Sequence, residues 1–365
     1  MKNTLGSTVS ITLFGESHGS AIGAVLDGLA PGIKIDNEFI NFQLSLRKPS
    51  GEISTKRREK DEYKILSGAY NGFTTGTPVC VVIPNADVRS EDYKSISMLA
   101  RPSHADYAAH VKYNGYEDAR GGGHFSGRIT AAAVAAGAIV IPALNKKGIY
   151  IGTHISRCAG VSDRKFDLNN LKKEIKDICA MPFAVLDRQA AEEMQLNIKA
   201  AAEKGTSVGG ILETAVYGLP AGVGEPWFDT LEGAVSKAIF SVPAVKGIEF
   251  GAGFAIADMT GDKANDPFVI DDGVVKTVTN NNGGINGGIS NGMPVIFRCA
   301  IKPTPTISIK QNTVDLKTFT DSEITAAGRH DPCIVHRARV VVDSITALVL
   351  CDMLALKYGT DWLVE

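Results

Sequence analysis

Apolar and polar positions alternate from Val9 to Phe14, the pattern of a half-buried strand, which runs into Gly15-Glu16-Ser17-His18-Gly19. Ala21 to Leu26 predicts a second strand, ended by the turn signal Gly28-Leu29-Ala30-Pro31-Gly32. Asp36 is placed to cap a helix over Glu38 to Leu46, since its carboxylate can accept backbone N–H groups of the first turn. The β-branched run Pro78 to Ile83 predicts a buried strand. Two stretches have no polar face. Ile129 to Leu144 and Arg339 to Lys357 are apolar nearly all round, so each predicts a helix enclosed on every side. Leu168 to Lys176 and Arg188 to Lys204 predict exposed helices, and Gly209 to Tyr217 and Val295 to Ile301 predict strands. Lys48 to Lys60 is polar and charged, which predicts a mobile loop that is either a solvated linker or a functional lid.

The turn Gly218-Leu219-Pro220-Ala221-Gly222 echoes Gly28-Leu29-Ala30-Pro31-Gly32, each following a strand and preceding a helix. An internal duplication is one reading of that echo. No low-complexity linker divides the chain, so a single interleaved α/β (α+β) domain over residues 1–365 is expected, with unusually buried helices.

Composition narrows the classes. Lys and Arg total 38 and Asp and Glu 40, a net charge of -2, which argues against a dedicated nucleic-acid binder. The six cysteines lie far apart with no CxxC pair, so neither a zinc nor a disulfide framework is expected. The run Ala131 to Leu144 falls short of the roughly 20 residues of a membrane span, and a cytoplasmic protein is expected. The 38 glycines cluster, which marks particular turns.

Those glycine-rich turns carry the candidate chemistry. Besides Ser17 and His18 there are Arg101-Pro102-Ser103-His104-Ala105-Asp106, a metal pair or an oriented acid/base, and Arg120-Gly121-Gly122-Gly123-His124-Phe125-Ser126-Gly127-Arg128. The latter leads into the first buried helix, where free N–H groups, the helix dipole and Arg128 favour an anion. Gly328-Arg329-His330-Asp331-Pro332-Cys333 offers charge and proton transfer, or a structural salt bridge. The run from Asn282 to Gly292 suits close backbone approach to a planar or phosphorylated ligand. GxGxxG, GK[ST], HExxH and GxSxG are all absent, which removes the main signatures of dinucleotide, P-loop, zincin and α/β-hydrolase sites.

Taken in order, these loops resemble the chorismate synthase family, from Phe14-Gly15-Glu16-Ser17-His18-Gly19 through Leu66-Ser67-Gly68, Thr74-Thr75-Gly76-Thr77, Gly222-Val223-Gly224-Glu225-Pro226, Ala244-Val245-Lys246-Gly247 and Lys302-Pro303-Thr304 to Gly328–Cys333. The resemblance implies a lyase that converts 5-enolpyruvylshikimate 3-phosphate to chorismate by anti 1,4-elimination, with reduced FMN (FMNH2) and no net redox change. It implies a β-α-β sandwich with helices between sheets, and a homotetramer. By the same resemblance, Arg47, Arg128 and Arg329 grip the substrate. His18 and His104 manage protons on the departing phosphate and the flavin, Asp331 assists proton removal, and Ser17 and Ser126 relay or orient. The implied FMN contacts are His124, Phe125, Ser126, Pro243, Ala244, Gly287, Lys302, Pro303, Thr304, Pro305, Thr306 and Arg329.

Three positions depart from the family pattern. Leu46-Arg47-Lys48 stands where three basic residues are common, and Glu52-Ile53 stands where a second loop arginine is usual, leaving Lys48 or Lys56 as substitutes. His124 and Phe125 replace an Arg and a Ser. No NAD(P)H-binding motif is attached, so a monofunctional enzyme fed by a separate flavin reductase is expected. The competing readings are a metal-dependent phosphohydrolase using His104, Asp106, His330 and Asp331, and a flavin-binding protein without catalysis. Neither nucleic acid, membrane nor metal is an expected partner.

Overall fold

In the computed structural model, which describes residues 2–49, 51, 53–55, 61–85, 99–325 and 331–364, two antiparallel five-stranded sheets enclose a layer of helices. The first sheet runs, in spatial order, Thr4–Leu5, Ser10–Gly15, Ala21–Asp27, Val79–Pro84 and Lys64–Ser67. The second runs Val161–Ser162, Tyr150–Cys158, Gly210–Tyr217, Val295–Ile301 and Val245–Phe250. The predicted alternation holds in Val79–Pro84, where Val79, Val81 and Ile83 point into the core and Cys80 and Val82 away from it.

Between the sheets lie Thr130–Lys146 and Val335–Tyr358, each touching strands of both sheets. Alanines make this possible, since small side chains let two helix axes approach and still contact both layers. The tightest approach is at Gly137. A Cβ there would lie 2.5 Å from the Ser344 Cβ and 2.7 Å from its Cα, so no other residue fits without moving a helix. The segment Gly127–Lys146 has the length and hydropathy of a membrane span, more than the Ala131–Leu144 run alone suggested, yet 78% of its most apolar window is buried inside the protein. Several polar groups in this core find partners across it. Arg339 donates to the carbonyls of Met181 at 2.6 Å and Cys179 at 3.4 Å, and Thr153 donates to Asp343 at 2.6 Å. Full burial pushes the Asp343 carboxyl up to about 6 in spite of Arg339 and Thr153.

Asn37–Arg47 joins the central layer, capped as expected by Asp36, which accepts from the Phe39 N–H at 3.0 Å. Leu171–Cys179 and Arg188–Glu203 are not simply exposed. Each buries a stripe, with Leu171, Ile175 and Ile178 of the former packing on the outer face of the second sheet. That cover shelters a row of charges across the sheet. Register places His154 beside Glu213, Glu213 beside Arg298 and Arg298 beside Glu249. His154 bonds Asp163 at 2.8 Å and Glu213 at 3.2 Å, and Arg298 donates to Glu213 at 3.2 Å and Glu249 at 2.8 Å. Burial opposes a charged His154, but its two carboxylate partners outweigh that cost and raise its pKa.

The two halves pass through the same elements. Strand pair Ser10–Gly15/Ala21–Asp27 and strand pair Tyr150–Cys158/Gly210–Tyr217 each lead to a glycine turn, then to helix Asn37–Arg47 or Leu231–Ile239. An edge strand, an inner strand, a long loop and a central helix follow in both. The turns match in conformation: Gly28 and Gly218 have φ of 80° and 79°, and Gly32 and Gly222 have 91° and 89°.

Candidate active site

The site forms where the loop after Val79–Pro84 meets its counterpart after Val295–Ile301. A bridge pairs Leu99 with Asp315, the Ala100 N–H donates to the Val314 carbonyl at 3.2 Å, and the Lys302 ammonium donates to the Ser103 carbonyl. Ser103 and Ala244 both hold positive φ, 58° and 75°, and both are tied to Lys302, whose backbone N–H donates to the Ala244 carbonyl at 2.9 Å. Lys302, Ala244 and His104 are thereby gathered at one junction.

The three-glycine run lies at the centre. Gly121 and Gly122 have φ of 60° and 86°, accessible at little cost only without a Cβ. A Cβ on Gly121 would fall 2.1 Å from the His18 Cε1, and one on Gly122 would fall 3.2 Å from the His104 Nε2. The turn therefore seats both imidazoles against adjacent peptide units. Ser17 is locked to the same turn: its N–H donates to the Gly123 carbonyl at 3.1 Å, its hydroxyl donates to the Arg120 carbonyl at 3.1 Å, and that hydroxyl lies 3.0 Å from the His18 Nδ1. His124 turns inward, its Nδ1 2.8 Å from the Gly15 carbonyl, while Phe125 stays partly exposed and edge-on to Tyr113.

His104 is oriented by a carboxylate. Its Nδ1 lies 2.6 Å from Asp106 Oδ1, and Arg101 grips the same carboxylate with Nε and Nη2, each at 2.7 Å. Burial opposes ionisation of Asp106, but hydrogen bonds and charge from Arg101 and His104 outweigh it and hold the carboxyl well below its usual range. Asp106 opens a helix, Asp106–Lys112, that the glycine- and charge-rich sequence concealed. With Asp106 spent on His104 and Arg101, the arrangement is that of an oriented acid/base. Among the described residues no group of three His, Cys, Asp or Glu side chains converges as a metal site would.

Arg128 and Arg47 meet at the entrance to the first central helix. Ser126 caps the turn, its hydroxyl accepting from the Arg128 N–H at 3.2 Å. The Arg128 Nε donates to Asn85 Oδ1 at 3.1 Å, and the Asn85 amide donates to the carbonyls of Glu16 and Gly19, each at 2.9 Å. Arg47 donates to Thr130 at 3.0 Å and to the Gly127 carbonyl at 2.9 Å, bracing the same turn. Both guanidiniums also contact Asp61, whose side chain has no exposure: Arg47 Nη1 at 3.4 Å from Oδ2, and Arg128 Nη1 on Oδ1.

Asp331 stands in a second cluster. It accepts from the Thr55 N–H at 2.9 Å and pairs with Arg337 at 2.5 Å, and its carbonyl takes the Thr304 hydroxyl. Ser54 meets the His336 Nε2 at 2.8 Å, and Cys333 lies with its sulfur 3.6 Å from that of Cys158. Ile53, Ser54 and Thr55 are buried, so this described part of the expected mobile loop is packed into the site, because Asp331 and His336 take up its polar groups. Gly287 sits elsewhere, at φ 60° in the turn of a short hairpin, and the neighbouring Gly288 packs against Thr230. Pro243 adjoins the Ala244 junction, and Pro303, Pro305 and Thr306 flank Thr304. Lys48 follows the first-half helix as its C-cap. Arg329, His330, Lys56, Lys60 and Glu52 lie outside the described residues.

A family model described as chorismate synthase matches residues 9–355. The chain belongs to the chorismate synthase family. Curated chorismate synthases of Dehalococcoides mccartyi and Thermococcus gammatolerans are each 46% identical over 360 residues, covering 98% and 99% of this chain and the same shares of each relative. A crystal structure of a chorismate synthase matches with a TM-score of 0.76 at 28% identity, over 98% of this chain and 94% of that one. Membership makes the chain a lyase of the last step of the shikimate pathway, and it confirms the expected mixed helix-and-strand fold. The family acts on a small molecule and requires a flavin.

Sequence reasoning missed Asp61, Asn85, Arg101, Thr55 and His336. Only Arg101 carried a local signal, standing in the same six-residue motif as His104 and Asp106.

Proposed function

We propose that the junction of the two long loops carries out the anti 1,4-elimination of phosphate from 5-enolpyruvylshikimate 3-phosphate. The observation behind this reading is the glycine turn that seats His18 and His104 against adjacent peptide units, with Asn85 tying Arg128 to the Glu16 and Gly19 carbonyls on either side of His18. Arg128, supported by Arg47, Lys48 and Arg329, takes the substrate's anionic groups, because a partly dry pocket binds a phosphate and carboxylates best through forked cations. Asp106 fixes the His104 ring through Nδ1 and leaves Nε2 to handle a proton; the Ser17 hydroxyl does the same for His18. One of the two rings delivers a proton to the departing phosphate. Asp331, held by Thr55 and Arg337, keeps a carboxylate in the second cluster.

The cofactor of this reading is reduced FMN, which when bound supplies electron density and a proton acceptor. The residues fit such a group: among the described residues Thr55 Oγ1, His336 Nδ1 and Arg337 Nε, around Asp331, are buried with no hydrogen-bond partner, and such atoms suit a polar guest or water. Its holders are His124, Phe125, Ser126, Pro243, Ala244, Gly287, Lys302 to Thr306 and Arg329. A separate reductase in the cytoplasm supplies the reduced form. The homotetramer of this reading has exposed apolar surface to use, notably Phe268, Ile270 and Val275 on the hairpin 268–277. The repeated element order supports one catalytic domain derived from a duplicated half.

The test is anaerobic incubation with reduced FMN and 5-enolpyruvylshikimate 3-phosphate, following phosphate release and chorismate absorbance. Turnover is expected, and its absence under those conditions rejects the reading.

A further inference from the structure

Asp61 is a fully enclosed carboxylate with an arginine on each oxygen, and those arginines are the two that the proposed function assigns to the substrate's anion. The partners come from different parts of the chain, 14 and 67 residues away. Arg47 and Arg128 are themselves buried, at 7% and 9% exposure. Two guanidiniums taken from water and brought together at the start of one helix repel each other and lose hydration, a cost that a shared anion offsets. Among the described residues Arg47 also donates to Thr130 and to the Gly127 and Arg128 carbonyls, and Arg128 to Asn85 and the Pro84 carbonyl. On each arginine the Nη1 is the atom turned to Asp61.

We propose that Asp61 is a resident counter-anion of the substrate's anion pocket, a positioning residue that holds Arg47 and Arg128 together between turnovers and weakens the grip of that pocket on free phosphate. This rests on the reading of Arg128 as a substrate ligand. The physical reason is charge. With Asp61 ionised the three groups carry one net positive charge, and without it they carry two. A second charge a few ångströms from an incoming phosphate, in a medium of effective dielectric near 20, strengthens binding by about tenfold or more. The reaction leaves phosphate behind, so a pocket that lacked the Asp61 charge would release it more slowly. Asp61 makes the pocket stable when empty and keeps the product exchangeable.

The experiment compares wild type, Asp61→Asn and Arg128→Ala in the full-length protein, with inorganic phosphate as the probe. Phosphate affinity is read by calorimetry and by product inhibition, and the thermal midpoint is read with and without phosphate. For Asp61→Asn the expected result is a phosphate Kd lower by about tenfold, stronger product inhibition, a lower midpoint in the absence of anion, and recovery of that midpoint as phosphate is added. Asp61→Glu, which restores the charge, returns phosphate affinity towards wild type. Unchanged or weaker phosphate binding in Asp61→Asn, with Arg128→Ala abolishing binding, overturns the proposal and leaves the anion pocket standing. Phosphate binding that survives Arg128→Ala overturns the pocket assignment itself. If Asp61→Asn folds only in phosphate, that is the expected result in its strongest form. Failure to fold even in saturating phosphate counts against the proposal, because the exchanged anion then cannot replace the carboxylate.

Discussion

The two halves of the molecule share an order of strands, turns and helices but spend their polar residues differently. In the first half they gather at one end: His18, Ser17, Asn85, His104 and Arg128 all bond to loops between strand and helix, and the sheet beneath contributes apolar faces. In the second half a row of charges, Asp163, His154, Glu213, Arg298 and Glu249, runs across the sheet face on which Leu171–Cys179 packs. From the second half the site takes, among the described residues, Lys302, Thr304 and Asp331 of the equivalent loop, with His336 and Arg337 of the helix that follows it. The same element order therefore carries clustered polar loops in the first half and a braced, charged sheet in the second. Loops can diverge freely, while a charge row inside a sheet survives only if every member stays paired.

Breaking the reactive side has the largest expected effect. Gly121→Ala puts a Cβ 2.1 Å from the His18 ring at a φ of 60°, so the turn must shift and displace both imidazoles. A fall in kcat of at least about a hundredfold is expected in steady-state assays, with far-UV circular dichroism unchanged. A loss of fold instead would show that the turn is scaffold too. Next is Arg128→Ala, expected to lower kcat/KM by about a hundredfold or more through loss of a charged hydrogen-bonding partner. Arg188→Ala, an exposed member of an i,i+4 pair, serves as the control and is expected to leave kcat/KM unchanged. Equal effects of the two would remove the distinction between site and surface.

Gly137→Ala acts on the layer common to both halves. Its Cβ meets Ser344 backbone and side chain, and a loss of about 2 kcal/mol in urea unfolding is expected from overpacking. The smallest effect concerns the charge row. His154 has its pKa raised in the folded state, so its stabilisation is complete below the unfolded value of about 6.5 and is lost as pH rises through the folded one. Glu213 and Asp163 have theirs lowered, burial being outweighed by His154 and their other donors, so their share is lost at the acid end, as pH falls through the folded values. The stability gap between wild type and His154→Gln should therefore narrow as pH rises, measured by urea titration across the pH range, while the pH profile of kcat stays the same in both. A shifted kcat profile would tie the row to catalysis and blur the contrast between the halves.

Local pattern made the frame of the molecule legible. The alternation in Val79–Pro84, the Asp36 cap and the two helices without a polar face need no tertiary information. The likeness of the two turns was legible as one five-residue echo, because positive φ favours glycine at Gly28 and Gly32 and again at Gly218 and Gly222. What stayed hidden depended on approach in space. Helix Asp106–Lys112 is too short and polar to show a stripe, and Asp61 looks like any surface acid until the two arginines close on it. Ile53 to Thr55 reads as linker because its partners Asp331 and His336 lie at the far end of the chain.

The contact of Gly137 with Ser344 bears on the order of events during synthesis. The wedge that separates the sheets is completed by Val335–Tyr358, which leaves the ribosome after both sheets have emerged. Until then the face of the first central helix that packs on Val335–Tyr358 lacks its partner, while its contacts with Asn37–Arg47 and the first sheet can already form. Closing the two central helices on each other brings Gly137 to Ser344 across a long stretch of chain, the kind of non-local contact that slows folding.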